Sequence, residues 1–336
     1  MQTGSFLPWQ TEAARHWLAA RERFAHAWLI HGQRGTGQQS FAQGGAAALL
    51  CESPADHGIA CGHCQACRWV QSGNHPDLRR IRPDAMALEE GDEVDMDNRK
   101  QASSEIRIDQ LRALLPWFNL ATHRGGWRVA LLYPAEALNP AAANALLKTL
   151  EEPPVRTAFL LVCDAPDRLL PTLVSRCRRL HLPPPTTAQA LQWLQAQGVD
   201  QPAARLAASG GAPLLATDRA DQAVIPEFLQ TFLSLSADKA GAPMLAEALL
   251  QQHPQVWIDA FQRLWLDIGL VERGQPARYY PGMQAELAQA ARQLSASNWA
   301  GVARWLVEQQ RLARHPLNPG SWAAHAANRL LSVFQG

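Results

Sequence analysis

The stretch His31-Gly32-Gln33-Arg34-Gly35-Thr36-Gly37-Gln38-Gln39-Ser40 sets Gly32 and Gly37 around four residues, between an apolar run and a helix pattern. The run is Ala27-Trp28-Leu29-Ile30, and the Ala/Leu-rich pattern ends near Leu50. A strand turning through glycines into a helix aims backbone N–H groups and a helix N-terminus at one point, where anionic oxygens bind. A working phosphate loop also carries Lys for the β- and γ-phosphates and Ser or Thr for Mg²⁺. Here those positions are Gln38 and Gln39. Gln brings no charge to a phosphate, and its amide oxygen replaces a hydroxyl poorly on Mg²⁺. Ser40 lies one step further, about 100° around the helix. Gly32, Gly35, Gly37, Gln38 and Gln39 thus read as a degenerate nucleotide loop. The plain alternative is a glycine-rich strand-to-helix turn without a ligand.

Length and composition bound the rest. The 336 residues suffice for two or three domains, and 47% hydrophobic with 18% charged residues describes a globular chain. A net charge of +1 announces no strongly basic surface for nucleic acid. No run approaches the ~18 apolar residues of a membrane span. Met1-Gln2-Thr3-Gly4 lacks the basic and apolar segments of a signal peptide, so the cytoplasm is the expected compartment and no membrane is expected as a partner.

Strand and helix patterns alternate through residues 1–183, which predicts a parallel sheet. A helix pattern spans Thr11–Arg23, and Asp109 is the expected N-cap of a helix through Leu115. Arg128–Leu132, Ala158–Val162 and Cys177–Leu182 read as strands. Asn139-Pro140 is an N-cap followed by Pro at the first helical position, opening a helix that Pro153-Pro154 stops. Pro183-Pro184-Pro185 marks a stiff boundary. Beyond it, 184–222 reads as a small helical domain and 223–336 as an all-helical bundle. Trp257, Trp265, Trp299, Trp305 and Trp322 are expected in its core or between its helices. Glu89, Glu90, Asp92, Glu93, Asp95 and Asp97 read as a solvated acidic loop.

Cys51, Cys61, Cys64 and Cys67 follow the pattern C-x9-C-x2-C-x2-C. In a reducing compartment four such thiolates complete a tetrahedral zinc shell, leaving no open position, so the site reads as structural. A metal would supply the folding energy that the apolar-poor segment 51–67 lacks. Free thiols or a redox pair are the alternative. His57 and His63 are possible substitute ligands, whereas Cys163 and Cys177 read as buried thiols. A DNA-binding finger is a third reading, disfavoured by the scarcity of Lys and Arg in the segment.

Two further segments carry a family resemblance. Asn144-Ala145-Leu146-Leu147-Lys148-Thr149-Leu150-Glu151-Glu152-Pro153-Pro154 and Leu173-Val174-Ser175-Arg176-Cys177 resemble signatures of bacterial clamp-loader subunits. Gly73-Asn74-His75-Pro76-Asp77, Arg124-Gly125-Gly126-Trp127-Arg128 and the cysteines after the loop helix fit the same family. The match is specific over residues 25–182. It implies an AAA+ fold: a RecA-like α/β domain over 1–183 with zinc inserted at 51–67, a helical lid over 184–222 and a helical collar over 223–336.

The resemblance also places functional residues. The family's Asp-Glu pair for Mg²⁺ and water falls on Tyr133-Pro134, with Glu136 nearby but out of register, and the lid's nucleotide-sensing Arg falls on Leu214. It implies a chain that does not hydrolyse ATP. Instead, Arg176, between its motif neighbours Ser175 and Cys177, would reach as an arginine finger into the nucleotide site of an adjacent subunit. Guanidinium suits that task, being permanently charged and able to meet phosphate oxygens bidentately. An ordinary surface arginine beside Arg178 and Arg179 is the plain alternative. Lys148 and Glu151 are expected to shape their helix and subunit contacts. Implied partners are the ATPase subunits and the delta subunit of a hetero-pentamer within the replicative polymerase holoenzyme. The sliding clamp and primed DNA would be met through the assembly. An autonomous ATPase and a zinc-dependent DNA-binding protein are the competing functions.

Overall fold

Continuous apolar runs suit strands covered by helices on both faces, as parallel sheets require. The computed structural model describes residues 5–19, 21–94, 101–218, 223–235, 241–294, 296–313 and 318–334. In it β1 (Ala27–Gly32), β2 (Leu78–Ile81), β3 (Arg128–Leu132), β4 (Thr157–Cys163) and β5 (Arg178–Leu182) form one sheet, ordered β2-β3-β4-β1-β5. All four pairings are parallel. Every residue of β3 and β4 is buried. Strand β2 carries no such run: Leu78-Arg79-Arg80-Ile81 buries only Ile81 at the sheet edge, so the sequence reading passed over it.

Chain division falls between residues 189 and 190. In the first unit the helices are α1 (Thr11–Leu18), α2 (Gln38–Leu50), α3 (Gln65–Gln71), α4 (Asp84–Glu89), α5 (Ile108–Arg112), α6 (Leu115–Asn119), α7 (Pro140–Glu151) and α8 (Pro171–Ser175). One sheet face buries Ile30, Leu131 and Leu160 with Phe41, Leu49 and Trp17. The other buries Leu29, Leu132 and Phe159 with Leu114, Leu146 and Leu173. Asn139 caps α7 as expected, its Oδ1 accepting the Ala142 N–H at 2.8 Å. Helix α5 begins before Asp109, with Arg107 as N-cap, because the Gln110 side chain accepts the Arg107 N–H at 2.9 Å.

From Thr187 onward, among the described residues, every regular element is helical. They are α9 (Thr187–Ala196), α10 (Pro202–Ala208), α11 (Pro213–Asp218), α12 (Glu227–Ser234), α13 (Ala242–Leu250), α14 (Pro254–Glu272), α15 (Gln284–Gln293), α16 (Ala296–Leu312) and α17 (Pro319–Leu331). Trp257, Phe261 and Trp265 of α14 form a core with Phe232, Leu245, Trp305, Trp322 and Leu330. Trp265 and Trp299 each donate an indole N–H to the other's carbonyl, at 2.9 and 3.0 Å. Among the described residues no helix is long and apolar enough to cross a membrane.

Fully buried Asp267 accepts backbone N–H groups from Arg278 (2.8 Å), Tyr279 (3.0 and 3.1 Å) and Tyr280 (2.7 Å), fastening the turn after α14. Asp267→Ala orphans these donors and is expected to cost about 1–3 kcal/mol, read as a lower urea midpoint with an unchanged slope.

Candidate functional site

The glycine loop is built from the sheet outward. Gly32 ends β1 so close to β5 that a Cβ there would stand 2.6 Å from the Leu182 carbonyl oxygen. Gly37 adopts φ +99° at the start of α2, where a Cβ would meet Leu7 and Gln10. The N-terminal segment seals this turn: Trp9 Nε1 donates to the Thr36 carbonyl at 3.0 Å and Gln10 Nε2 to the Gly37 carbonyl at 2.7 Å. Gln38, only 3% exposed, folds back and donates Nε2 to the Gln33 carbonyl at 2.6 Å. The Thr36 hydroxyl donates to that same carbonyl at 2.7 Å. The loop is thus bonded to itself and to residues 7–10, with an uncharged amide at its centre.

Next to it the expected Mg²⁺ positions hold one internal network. Tyr133, 1% exposed after β3, donates its hydroxyl to Glu90 Oε2 at 2.8 Å. Gln39 Nε2 donates to Glu90 Oε1 at 3.1 Å. The guanidinium of Arg82, 5% exposed, lies with Nε 2.7 Å from Glu90 Oε2 and also pairs with Asp92. Arg80 joins Asp92 at 3.0 Å. Burial, with Glu90 alongside, pushes the Tyr133 phenol well above its usual range, so it stays a neutral donor. The acidic cluster is therefore not a simple solvated loop. Glu90 and Asp92 are held by Arg80 and Arg82, because burying a guanidinium demands carboxylate partners. Asp95 and Asp97 lie outside the described residues. Arg80 and Arg82 went unnoticed in the sequence, and Glu90 was read only as part of a solvated loop, because nothing there ties an Arg-rich edge strand to a carboxylate ten residues on.

Glu136 serves the backbone, its Oε1 accepting the N–H groups of Asp164 (2.6 Å) and Ala165 (2.9 Å). Leu214 is half-buried, the second residue of α11.

The Ser-Arg-Cys motif ends α8. Cys177 is buried against the α7 side of the sheet, and burial lifts its thiol to about 11. The Ser175 hydroxyl donates to the Thr172 carbonyl at 3.0 Å, closing the last turn. Between them Arg176 is exposed, with Nη1 donating to Thr172 O at 3.0 Å and Nη2 paired with Glu151 of α7.

The four thiols converge: Cys51 Sγ lies 3.8 Å from Cys64 Sγ, Cys61 Sγ 4.0 Å from Cys67 Sγ, and all four lie within 4.8 Å of one another. Zn–S bonds of ~2.3 Å in a tetrahedron put sulfurs ~3.8 Å apart, so the cluster has the dimensions of a Cys₄ zinc shell. The N–H groups of Cys61, Cys64 and Cys67 point to Cys51, Cys61 and Cys64 sulfurs at 3.3–3.4 Å. Burial opposes the Cys64 thiolate, but the N–H groups of Cys67 and Glu52 and the neighbouring sulfurs outweigh it and bring the group to about 6. Burial raises Cys51 and Cys67 instead, so without a cation the cluster resists full ionisation. Cys51 follows α2 and Cys64 caps α3, so a bound ion would join the two helices. His57 and His63 are exposed and outside the cluster. Below it, buried Asp77 accepts the His123 N–H with both oxygens at 3.0 Å, and Arg124 pairs with Glu52.

A parallel sheet of this order, a glycine loop after its first strand and an arginine motif before its last define an α/β protein with the layout of a nucleotide-binding domain. The chain belongs to the family described as DNA polymerase III, delta subunit, whose model matches residues 10–186. It is 42% identical over 213 residues to DNA polymerase III subunit delta' of Pseudomonas aeruginosa, covering 62% of this chain and 60% of that protein. The Escherichia coli subunit delta' is 37% identical over 191 residues, 56% of this chain and 52% of that protein. The Escherichia coli subunit tau is 36% identical over 163 residues, 48% and 22% respectively. The chain thus spans about 60% or less of these curated relatives' lengths.

Metal analysis is expected to find one zinc per chain, lost with Cys64→Ser and on acidification, since the ligands must be thiolates. Chelation should expose the α2–α3 connection to protease while β3 and β4 stay protected from hydrogen exchange.

Proposed function

We propose that the chain is a non-hydrolysing cytoplasmic subunit of the DNA polymerase III clamp loader. It would work beside ATPase subunits and a delta subunit in a hetero-pentamer that loads the sliding clamp on primed DNA during replication. In this reading Arg176 acts in trans on a neighbour's ATP, residues 1–183 form the AAA+ domain with a structural zinc, 184–222 the lid, and 223–336 the collar through which the subunits assemble. Family membership supports the setting.

The observation that carries the reading is a contrast within one domain. The chain's own loop carries Gln38 bonded back to Gln33, and its expected Mg²⁺ positions hold Gln39 and Tyr133, both donating to Glu90, while Arg176 stands exposed between a buried cysteine and a closed helical turn. An autonomous ATPase would need Gln38, Gln39, Tyr133 and Pro134 all to be replaced. As for DNA binding by the cysteine segment, Arg68 is the sole Lys or Arg between Cys51 and Gln71.

The isolated protein is expected to show no ATP turnover. Restoring the loop with Q38K and Q39T should not create nucleotide binding, because Glu90 and Arg82 still occupy the adjoining positions; tight nucleotide binding by that variant in calorimetry would contradict the filled-site account. Arg176→Ala should fold and assemble normally yet lower the reconstituted loader's ATPase at least tenfold, arginine fingers being worth ~10³–10⁵ in GTPases. An unchanged rate would refute the finger.

A further inference from the structure

We infer that Glu151 is a positioning residue: it holds the Arg176 guanidinium at its exposed station before a neighbouring subunit arrives. This rests on the trans-acting reading of Arg176 and adds to it the group that prepares the arginine. Glu151 is the last residue of α7, and Arg176 follows α8, so the pair, 25 residues apart in sequence, bridges the two helices.

Two acceptors grip the guanidinium. Thr172 O takes a hydrogen from Nη1, and Glu151 Oε1 takes one from Nη2. Arginine has five N–H donors in a planar fork, so the Nε–H and one N–H on each terminal nitrogen stay available to a phosphate. The grip comes from a favourable place: carbonyls at the end of α7 carry the negative end of its dipole, which attracts a cation. The Thr172 carbonyl is itself fixed by Ser175. An arginine otherwise sweeps through many rotamers, and a partner must order it at each encounter. Here that ordering is completed when the subunit folds, and docking meets a prepared fork.

The alternative, that the pair simply stabilises the fold, fits poorly. The Glu151 and Arg176 side chains are 49% and 36% exposed, and ion pairs so open to water add little to stability. The benefit therefore falls on the neighbour's reaction.

The test uses the full chain in a reconstituted loader, comparing Glu151→Ala, Glu151→Gln, Arg176→Ala and the double variant E151A/R176A. ATPase is measured at saturating ATP with clamp and primed DNA, and assembly by native mass spectrometry. E151A is expected to assemble normally and to lower the maximal rate roughly tenfold, since misplacing a reacting group is that costly. The ATP concentration at half-maximal rate should change little. Glu151→Gln keeps an oxygen acceptor and should restore most of the rate, while the double variant should be no slower than R176A. An E151A loader as fast as or faster than the parent, a failure of E151A to assemble, or additive losses in the double variant would each overturn the proposal. If R176A alone leaves the rate unchanged, the finger reading fails and the positioning role falls with it. A slow R176A beside a fast E151A rejects positioning only.

Discussion

Hydrogen bonding of β1 between β4 and β5 is the constraint on which the rest of the α/β unit depends. It brings Gly32 against the Leu182 carbonyl, so closely that no side chain fits, and delivers the following turn to the sheet edge where β3 also ends. Parallel strands necessarily gather their C-terminal ends together, and ligand sites form in that crevice. Here the crevice holds Gln38, Gln39 and Tyr133. The glycines are therefore maintained by packing, Gly32 by β5 and Gly37 by Leu7 and Gln10, whether or not a phosphate ever binds.

A crevice at the C-terminal ends of a parallel sheet cannot simply be left to apolar side chains. Backbone N–H groups and neighbouring polar side chains there need partners, and leaving them unpaired costs about 1–3 kcal/mol each. The chain meets this demand internally. Glu90 accepts from Tyr133 and Gln39 and stands against Arg82, while Asp92 completes the charge balance with Arg80 and Arg82. Tyrosine at 133 is then explained by what it does: a neutral phenol donates to a carboxylate at a position where a second carboxylate would repel it. The Tyr133 hydroxyl thus supplies the closing hydrogen bond of the network.

How much of this was legible follows from how local each signal is. The strand, turn and helix around the glycines and the Asn139-Pro140 helix start are local patterns that formed as read, and the closely spaced cysteines came together, because neighbours in sequence are neighbours in space. The buried strands β3 and β4 were equally plain, being apolar throughout. Strand β2 was invisible because an edge strand with two consecutive arginines at its centre carries no such run. The Glu90 network was invisible for a deeper reason. Its members come from α2, the segment after α4, the edge strand and the end of β3, and only the sheet order makes them adjacent. An acidic cluster looks solvated until the arginines facing it are known.

The exposed arginine motif shows the reverse economy. A side chain that must act on another molecule has to be accessible, yet accessibility ordinarily means disorder. The three residues of the motif divide these demands: Cys177 goes into the core, Ser175 closes the turn, and Arg176 is left outside with its backbone fixed on either side. Glu151 and the Thr172 carbonyl extend that control from the backbone to the guanidinium. Rigidity is thus concentrated around an exposed guanidinium that keeps donors to spare. In the crevice, by contrast, the polar side chains are paired with one another and with the backbone. Both outcomes follow from one rule, that polar groups at the edge of a buried sheet must be satisfied, either by the protein itself or by something that docks.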